Sequence, residues 1–126
     1  MTAAPAYSVE VAALFATLPG AGRPDGPGWV TGEAREPLSS THVRVHLRAA
    51  AGRISAARYE VRGCPHTVAA VALAVADLPG CSLAGLDVDP AALAARIGAP
   101  AVKLGRLFVI QDAIHNAALQ LVRARA

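Results

Sequence analysis

The stretch from His42 to Arg62 constrains this chain more than any other. Val43, Val45 and Leu47 alternate with His42, Arg44, His46 and Arg48, the two-residue period of a strand with one buried and one wet face. Residues 49–52 supply a turn, and 54–62 read as the returning strand, with Ala57, Tyr59 and Val61 on its inner side. Gly63 ends the alternation. Cys64-Pro65 then opens a segment running to Leu78 that is apolar nearly all round, which is the pattern of a buried helix. Pro65 suits the first helical position, where its missing N–H had no partner to lose. A hairpin feeding a buried helix calls for an antiparallel sheet with helices laid across it.

The flanks agree. Ser8 is placed to cap a first helix whose Val11, Leu14, Phe15 and Leu18 fall on one face, and Pro19-Gly20 stops it. Residues 19–28 hold four glycines and three prolines and read as a flexible loop inside one domain, with a short strand expected around 29–32. Asp89-Pro90 caps a short helix, Pro90–Ile97. A last helix is expected from about Gly105 to Arg123, with Leu107, Ile110, Ile114, Ala117 and Leu121 inward. The expectation is a single α+β domain spanning 1–126, with a small antiparallel sheet of about three strands packed against several helices.

Composition narrows the function. Apolar residues make up 54% of the chain, much of it Ala and Val, enough for a core without disulfides or a structural metal. The longest apolar run, 68–76, is nine residues and too short to span a bilayer, which takes about 20. No basic region followed by an apolar run opens the sequence, so a cytoplasmic location and no membrane partner are expected. The net charge of +3 comes from scattered arginines without interleaved aromatics, so no nucleic-acid partner is expected. Cys64 and Cys81 form neither a zinc-finger spacing nor a disulfide framework.

Chemistry concentrates in Gly63-Cys64-Pro65-His66-Thr67. A thiol at a helix N-terminus faces unpaired backbone N–H groups and the positive end of the helix dipole, which favour its thiolate. The position fits a reactive or ligating sulfur, and equally a small buried apolar residue where strand meets helix. His66 could serve as a second ligand, as the base for the thiol, or only as part of the first helical turn. Cys81 lies in a turn after a helix and reads as incidental. His42 and His46 share the wet face of their strand about 13 Å apart, too far for one ion to bridge, and both are expected to be solvated. Asp112, His115 and Asn116 gather on the last helix without a nucleophile beside them.

Taken in order, several segments resemble the IscU/NifU N-terminal family of iron–sulfur cluster assembly scaffolds. Tyr7-Ser8 is similar to the family's opening tyrosine segment. Gly52-Arg53-Ile54, Ala57-Arg58-Tyr59 and Gly63-Cys64 resemble its hairpin "G-I-I-x-D-A-R-F…G-C", which leads to the second cluster cysteine. Gly80, Ser82 and Leu83 match "G-K-S-L"; Pro100, Val102 and Lys103 match a degraded "L-P-P-V-K" chaperone motif; Gln111-Asp112-Ala113-Ile114 matches "E-D-A-I". The likeness runs over most of the chain from Tyr7 onward.

The resemblance implies an IscU/NifU-like fold and a place in cluster assembly, but not an intact ligand set. The family's first cysteine and its aspartate fall near Pro37 and Ser39, and its histidine and third cysteine at Gly105 and Arg106, so only Cys64 remains, with His66 as a weak further candidate. An iron–sulfur cluster or zinc would therefore be bound weakly or not at all by the isolated chain. Arg106 sets a fixed positive charge where a metal-binding sulfur would sit, and is expected to pair with the Cys64 thiolate and lower its pKa. Three readings follow, and no enzymatic activity is expected. One is a cluster scaffold completed by a partner or second chain. Another is a degenerate scaffold that binds the cysteine desulfurase or the Hsp70-type cluster chaperone. The third is a monothiol redox protein using Cys64, since Cys-Pro-His is similar to the redox motif of thioredoxin-like proteins, although Thr67 replaces its second cysteine.

Overall fold

The computed structural model describes residues 7–125. In chain order these form α1 (Val9–Thr17), β1 (Val30–Glu36), β2 (Thr41–Ala50), β3 (Arg53–Arg62), α2 (Pro65–Ala76), α3 (Pro90–Ile97) and α4 (Leu104–Arg125). Single 3-10 turns at Pro37–Ser39, Leu83–Gly85 and Ala101–Lys103 join them. The strands make one antiparallel sheet in the order β1-β2-β3. This is the α+β arrangement that the alternation and the helical patterns predict.

The β2–β3 hairpin closes through Ala51 and Gly52, whose φ values of 53° and 78° give the left-handed pair a two-residue turn needs to match strand twist. Val43, Val45, Leu47, Ile54 and Tyr59 face inward and are completely or almost completely buried. Against that face lie α2, buried nearly all round, and α4, whose Leu107, Ile110, Ile114, Ala117 and Leu121 point to the core as their spacing requires. Asp89 caps α3 by accepting the Ala91 and Ala92 amides, and Gly98 ends that helix with φ 67°, so its bounds coincide with the expected ones.

α4 approaches β1 more closely than the sequence announces. It crosses the strand at Gly32, where an added Cβ would run into the Ala113 carbonyl oxygen and the Ala117 amide nitrogen, and would meet the Ala117 Cβ at 2.8 Å. Along the same contact, Asn116 and Gln120 donate side-chain amides to the Glu33 and Thr31 carbonyls. Asn116 thus secures the strand, while Asp112 and His115 are exposed on the helix.

Three expectations need correction. β1 extends to Glu36, well past the short strand expected, because α4 covers it and β2 pairs with it throughout. In α1 only Val11 is fully buried. Phe15 and Leu18 are 45% and 42% exposed, because the helix packs chiefly on α2 and ends at Thr17. Leu18 itself turns left-handed, its N–H bonding back to the Leu14 carbonyl. His46 is not solvated. It is 3% exposed, with Nδ1 2.8 Å from the Thr31 hydroxyl and Nε2 2.9 Å from the Glu60 carboxylate, so both ring nitrogens are satisfied on the outer face of the sheet. His42 is partly exposed and pairs with Glu33 at 2.6 Å.

The first half of residues 19–28 bonds to β3. The Tyr59 hydroxyl donates to the Pro19 carbonyl at 2.9 Å, Gly22 N–H donates to the Tyr59 carbonyl, and Arg58 reaches the Arg23 carbonyl. Tyr59→Phe keeps the ring and leaves the Pro19 carbonyl without this donor. It should lower stability by about 1 kcal/mol in a denaturant titration and raise amide exchange at Gly22. Unchanged exchange at Gly22 would show that the hydroxyl does not hold the loop.

Candidate functional site

Cys64 stands at the N-cap of α2 in extended conformation, with Pro65 in the first helical position. Its sulfur, partly buried, lies 3.4 Å from the Thr67 hydroxyl. Thr67 is completely buried and packs beneath Gly63, where an added Cβ would come within 3.2 Å of the threonine side chain. The glycine lets the end of β3 pass directly over the first turn of α2, and this sets the thiol against that turn.

Burial pushes the Cys64 thiol up, but opposing contributions outweigh it and bring the pKa down to about 7. The hydroxyl and amide of Thr67 lead, followed by the Arg106 guanidinium and then the charge of Lys103. Arg106 lowers this pKa by less than Thr67 does. Thr67 is three residues past the N-cap, the position where a cap side chain finds its reciprocal partner, so that spacing was the available signal.

His66, two residues on, is 3% exposed. Its Nδ1 lies 2.9 Å from the Lys103 ammonium, and its ring meets the edge of Tyr7 at 4.7 Å between centroids. Lys103 also sits 5.1 Å from the centre of the Tyr7 ring. Burial, and then the Lys103 charge, hold the imidazole below its ordinary pKa. The neutral ring accepts from Lys103 at Nδ1 and carries its proton on Nε2, which is buried without a hydrogen-bond partner. His66 therefore faces Lys103, not Cys64. Tyr7, His66 and Lys103 come from three distant segments, and no sequence spacing signals their meeting.

The remnant at Pro100–Lys103 divides in two. Pro100 opens the 3-10 turn, Val102 projects outward at 84% exposure, and Lys103 turns inward onto His66 and Tyr7. The segment expected to correspond to the first ligand pair reaches the same end of the molecule. Glu36 accepts the Leu38 and Ser39 amides and the Ser39 hydroxyl, and Ser39 also bonds Thr41 at 2.7 Å. These bonds, the Ser39 hydroxyl first, together with the Arg106 charge, hold the Glu36 carboxyl below the usual range. Cys81 lies apart at the far end of α2, its thiol donating to the Asp77 carbonyl at 3.1 Å. Among the described residues, no three His, Cys, Asp or Glu side chains come together in a way that could hold a metal ion.

No family model matches the chain, and no curated protein matches it. Solved structures do. A NifU-like protein (N-terminal part) from Brucella abortus superimposes with a TM-score of 0.72 over 94% of this chain and 95% of its own, at 12% identity. A protein described as an iron–sulfur cluster assembly scaffold for the SUF system, from thermophilic Fervidobacterium islandicum, gives 0.69 over 89% and 96%, also at 12% identity. A third structure, of a hypothetical protein, gives 0.67 over 86% and 94% at 16% identity. The chain thus has the fold of the NifU-like and SUF-type scaffold structures, as the sequence resemblance implies. Among the described residues no helix is long and apolar enough to cross a membrane.

Proposed function

We propose that this chain is a scaffold-type protein of iron–sulfur cluster assembly that acts through protein partners and one thiol, its metal-ligand set being largely replaced. The observation that carries this reading is Cys64, brought to about 7 at the N-cap of α2 on a scaffold-type fold. The other ligand positions of the resemblance hold Pro37, Ser39, Gly105 and Arg106. Cluster irons require several thiolates and structural zinc four protein ligands, so the residues present do not fit either as cargo on one chain.

Partner binding is supported by exposed apolar side chains on the segments around the thiol. Val9, Leu38 and Val102 are 88%, 97% and 84% exposed. Val9 follows Tyr7, Val102 precedes Lys103, and Leu38 sits in the turn whose Glu36 feels Arg106. Single exposed apolar residues are common, but three on segments converging at one thiol favour a docking face. The partner this reading names is a cysteine desulfurase, with the Hsp70-type cluster chaperone as the weaker contact because Ala99 and Ala101 replace two residues of its motif.

Capture from the native lysate on immobilised protein should recover the desulfurase, and Leu38→Glu with Val102→Glu should reduce that recovery at least about tenfold. Capture of neither the desulfurase nor the chaperone would overturn the proposal. A thiol ionising near neutrality also suits the alternative, a monothiol redox protein. That reading requires the isolated protein to exchange with low-molecular-weight disulfides catalytically, because Cys81 is too distant to resolve a mixed disulfide.

A further inference from the structure

The residues at this end of α2 disagree with a metal site in a specific way: the chain's own cations act on both Cys64 and His66. His66 follows Cys64 by two residues, and its lone pair at Nδ1 is occupied by the Lys103 ammonium at 2.9 Å. Its other nitrogen is buried and bears the proton that this arrangement leaves on it. Lys103 is held from a second side by the face of Tyr7, whose ring in turn abuts His66. The ammonium therefore lies between His66 and Tyr7 and is not a free surface charge. Arg106, three positions along at the start of α4, brings a second fixed charge to the Cys64 sulfur and also acts on Glu36. The Glu36 carboxylate is itself taken up by the Leu38 and Ser39 amides.

We infer that Lys103 and Arg106 are resident cations that stand in for a bound metal ion at the Cys64–His66 site and exclude divalent metals from it. Two fixed positive charges that both favour the thiolate oppose the approach of a divalent ion to the same sulfur. The exclusion is active, beyond the mere loss of ligands: supplying a missing ligand is insufficient while Lys103 remains on His66. The inference rests on the scaffold-type reading for assigning Arg106 to a ligand position. The measurement below needs no partner, so a failed desulfurase capture leaves it standing, and a failed metal result leaves the capture unaffected.

The test uses zinc as the probe, competed against a chromogenic chelator, on the full chain. Arg106→Cys alone should gain little affinity over the parent. Arg106→Cys with Lys103→Met should bind zinc at least about tenfold more tightly than Arg106→Cys alone. Lys103→Gln in the same background keeps an N–H donor for His66 but removes the charge, and should gain comparably. Lys103→Arg keeps the charge and should not gain. Thermal melts without zinc identify any variant that fails to fold, and the Gln and Met substitutions provide independent routes to the same comparison. Equal zinc affinity with and without the Lys103 charge would overturn the inference, as would tight zinc binding by the parent protein.

Discussion

Gly32→Ala should destabilise the protein by roughly 3 kcal/mol or more, a large effect for one methyl group. The atoms a Cβ would strike, the Ala113 carbonyl and the Ala117 amide, belong to the α4 backbone and cannot rotate aside. Relief requires α4 to lift from β1, loosening the inward packing of Ala113, Ile114 and Ala117 and lengthening the bonds that Asn116 and Gln120 make to the strand. Gly105→Ala is the contrasting variant. Nothing lies within 4 Å of its added Cβ, and Gly105 is helical, so that change should be neutral or stabilising by up to about 1 kcal/mol. Denaturant midpoints of the two variants would separate these outcomes. A Gly32→Ala protein as stable as Gly105→Ala would mean that α4 does not lie so close to β1.

Cys64 alkylation should follow a pH profile with its midpoint near 7, well below that of a free thiol. Thr67→Val removes the leading stabilising hydrogen bond and should move the midpoint up, slowing alkylation at pH 7 roughly fivefold. Arg106→Ala should move it in the same direction and by less, because the guanidinium contributes after Thr67. A Cys64→Ser protein, retaining Cys81, supplies the background rate. Folding lowers this pKa, so the thiolate's contribution to stability is complete above the ordinary thiol value of about 8.5 and is lost as pH falls through about 7. The stability advantage of the parent over Cys64→Ser should accordingly widen between pH 7 and 9. An alkylation midpoint in the free-thiol range, unmoved by Thr67→Val, would make Cys64 a packing residue.

The secondary structure was largely legible because its signals are local. Alternation in 42–62 fixed the hairpin, Asp89-Pro90 and Gly98 fixed α3, and Cys64-Pro65 fixed the start of α2. Each depends on backbone geometry within a few residues, which a sequence records directly. The thiol's place at a helix N-terminus was legible for the same reason. Two local expectations failed where a distant element intervened. The period of α1 places Phe15 beside Val11, but α1 rests chiefly on α2, which covers too narrow a stripe to bury both. His46 has the parity of a wet strand face, yet Thr31 and Glu60 on the neighbouring strands enclose it.

The sequence by itself determined the order and kind of the elements, the antiparallel sheet, the buried α2 and the position of Cys64 at its cap. Tertiary structure alone decided which lysine meets His66 and why Gly32 must lack a side chain. Lys103 reaches His66 across 37 positions, Tyr59 reaches Pro19 across 40, and α4 meets β1 across still more. Periodicity and capping act over one or two turns and carry no information about such pairs. Which lysine closes on which imidazole is settled only when the helices have packed on the sheet, since the charge and the lone pair come within hydrogen-bonding distance through that packing and through nothing in the local chain.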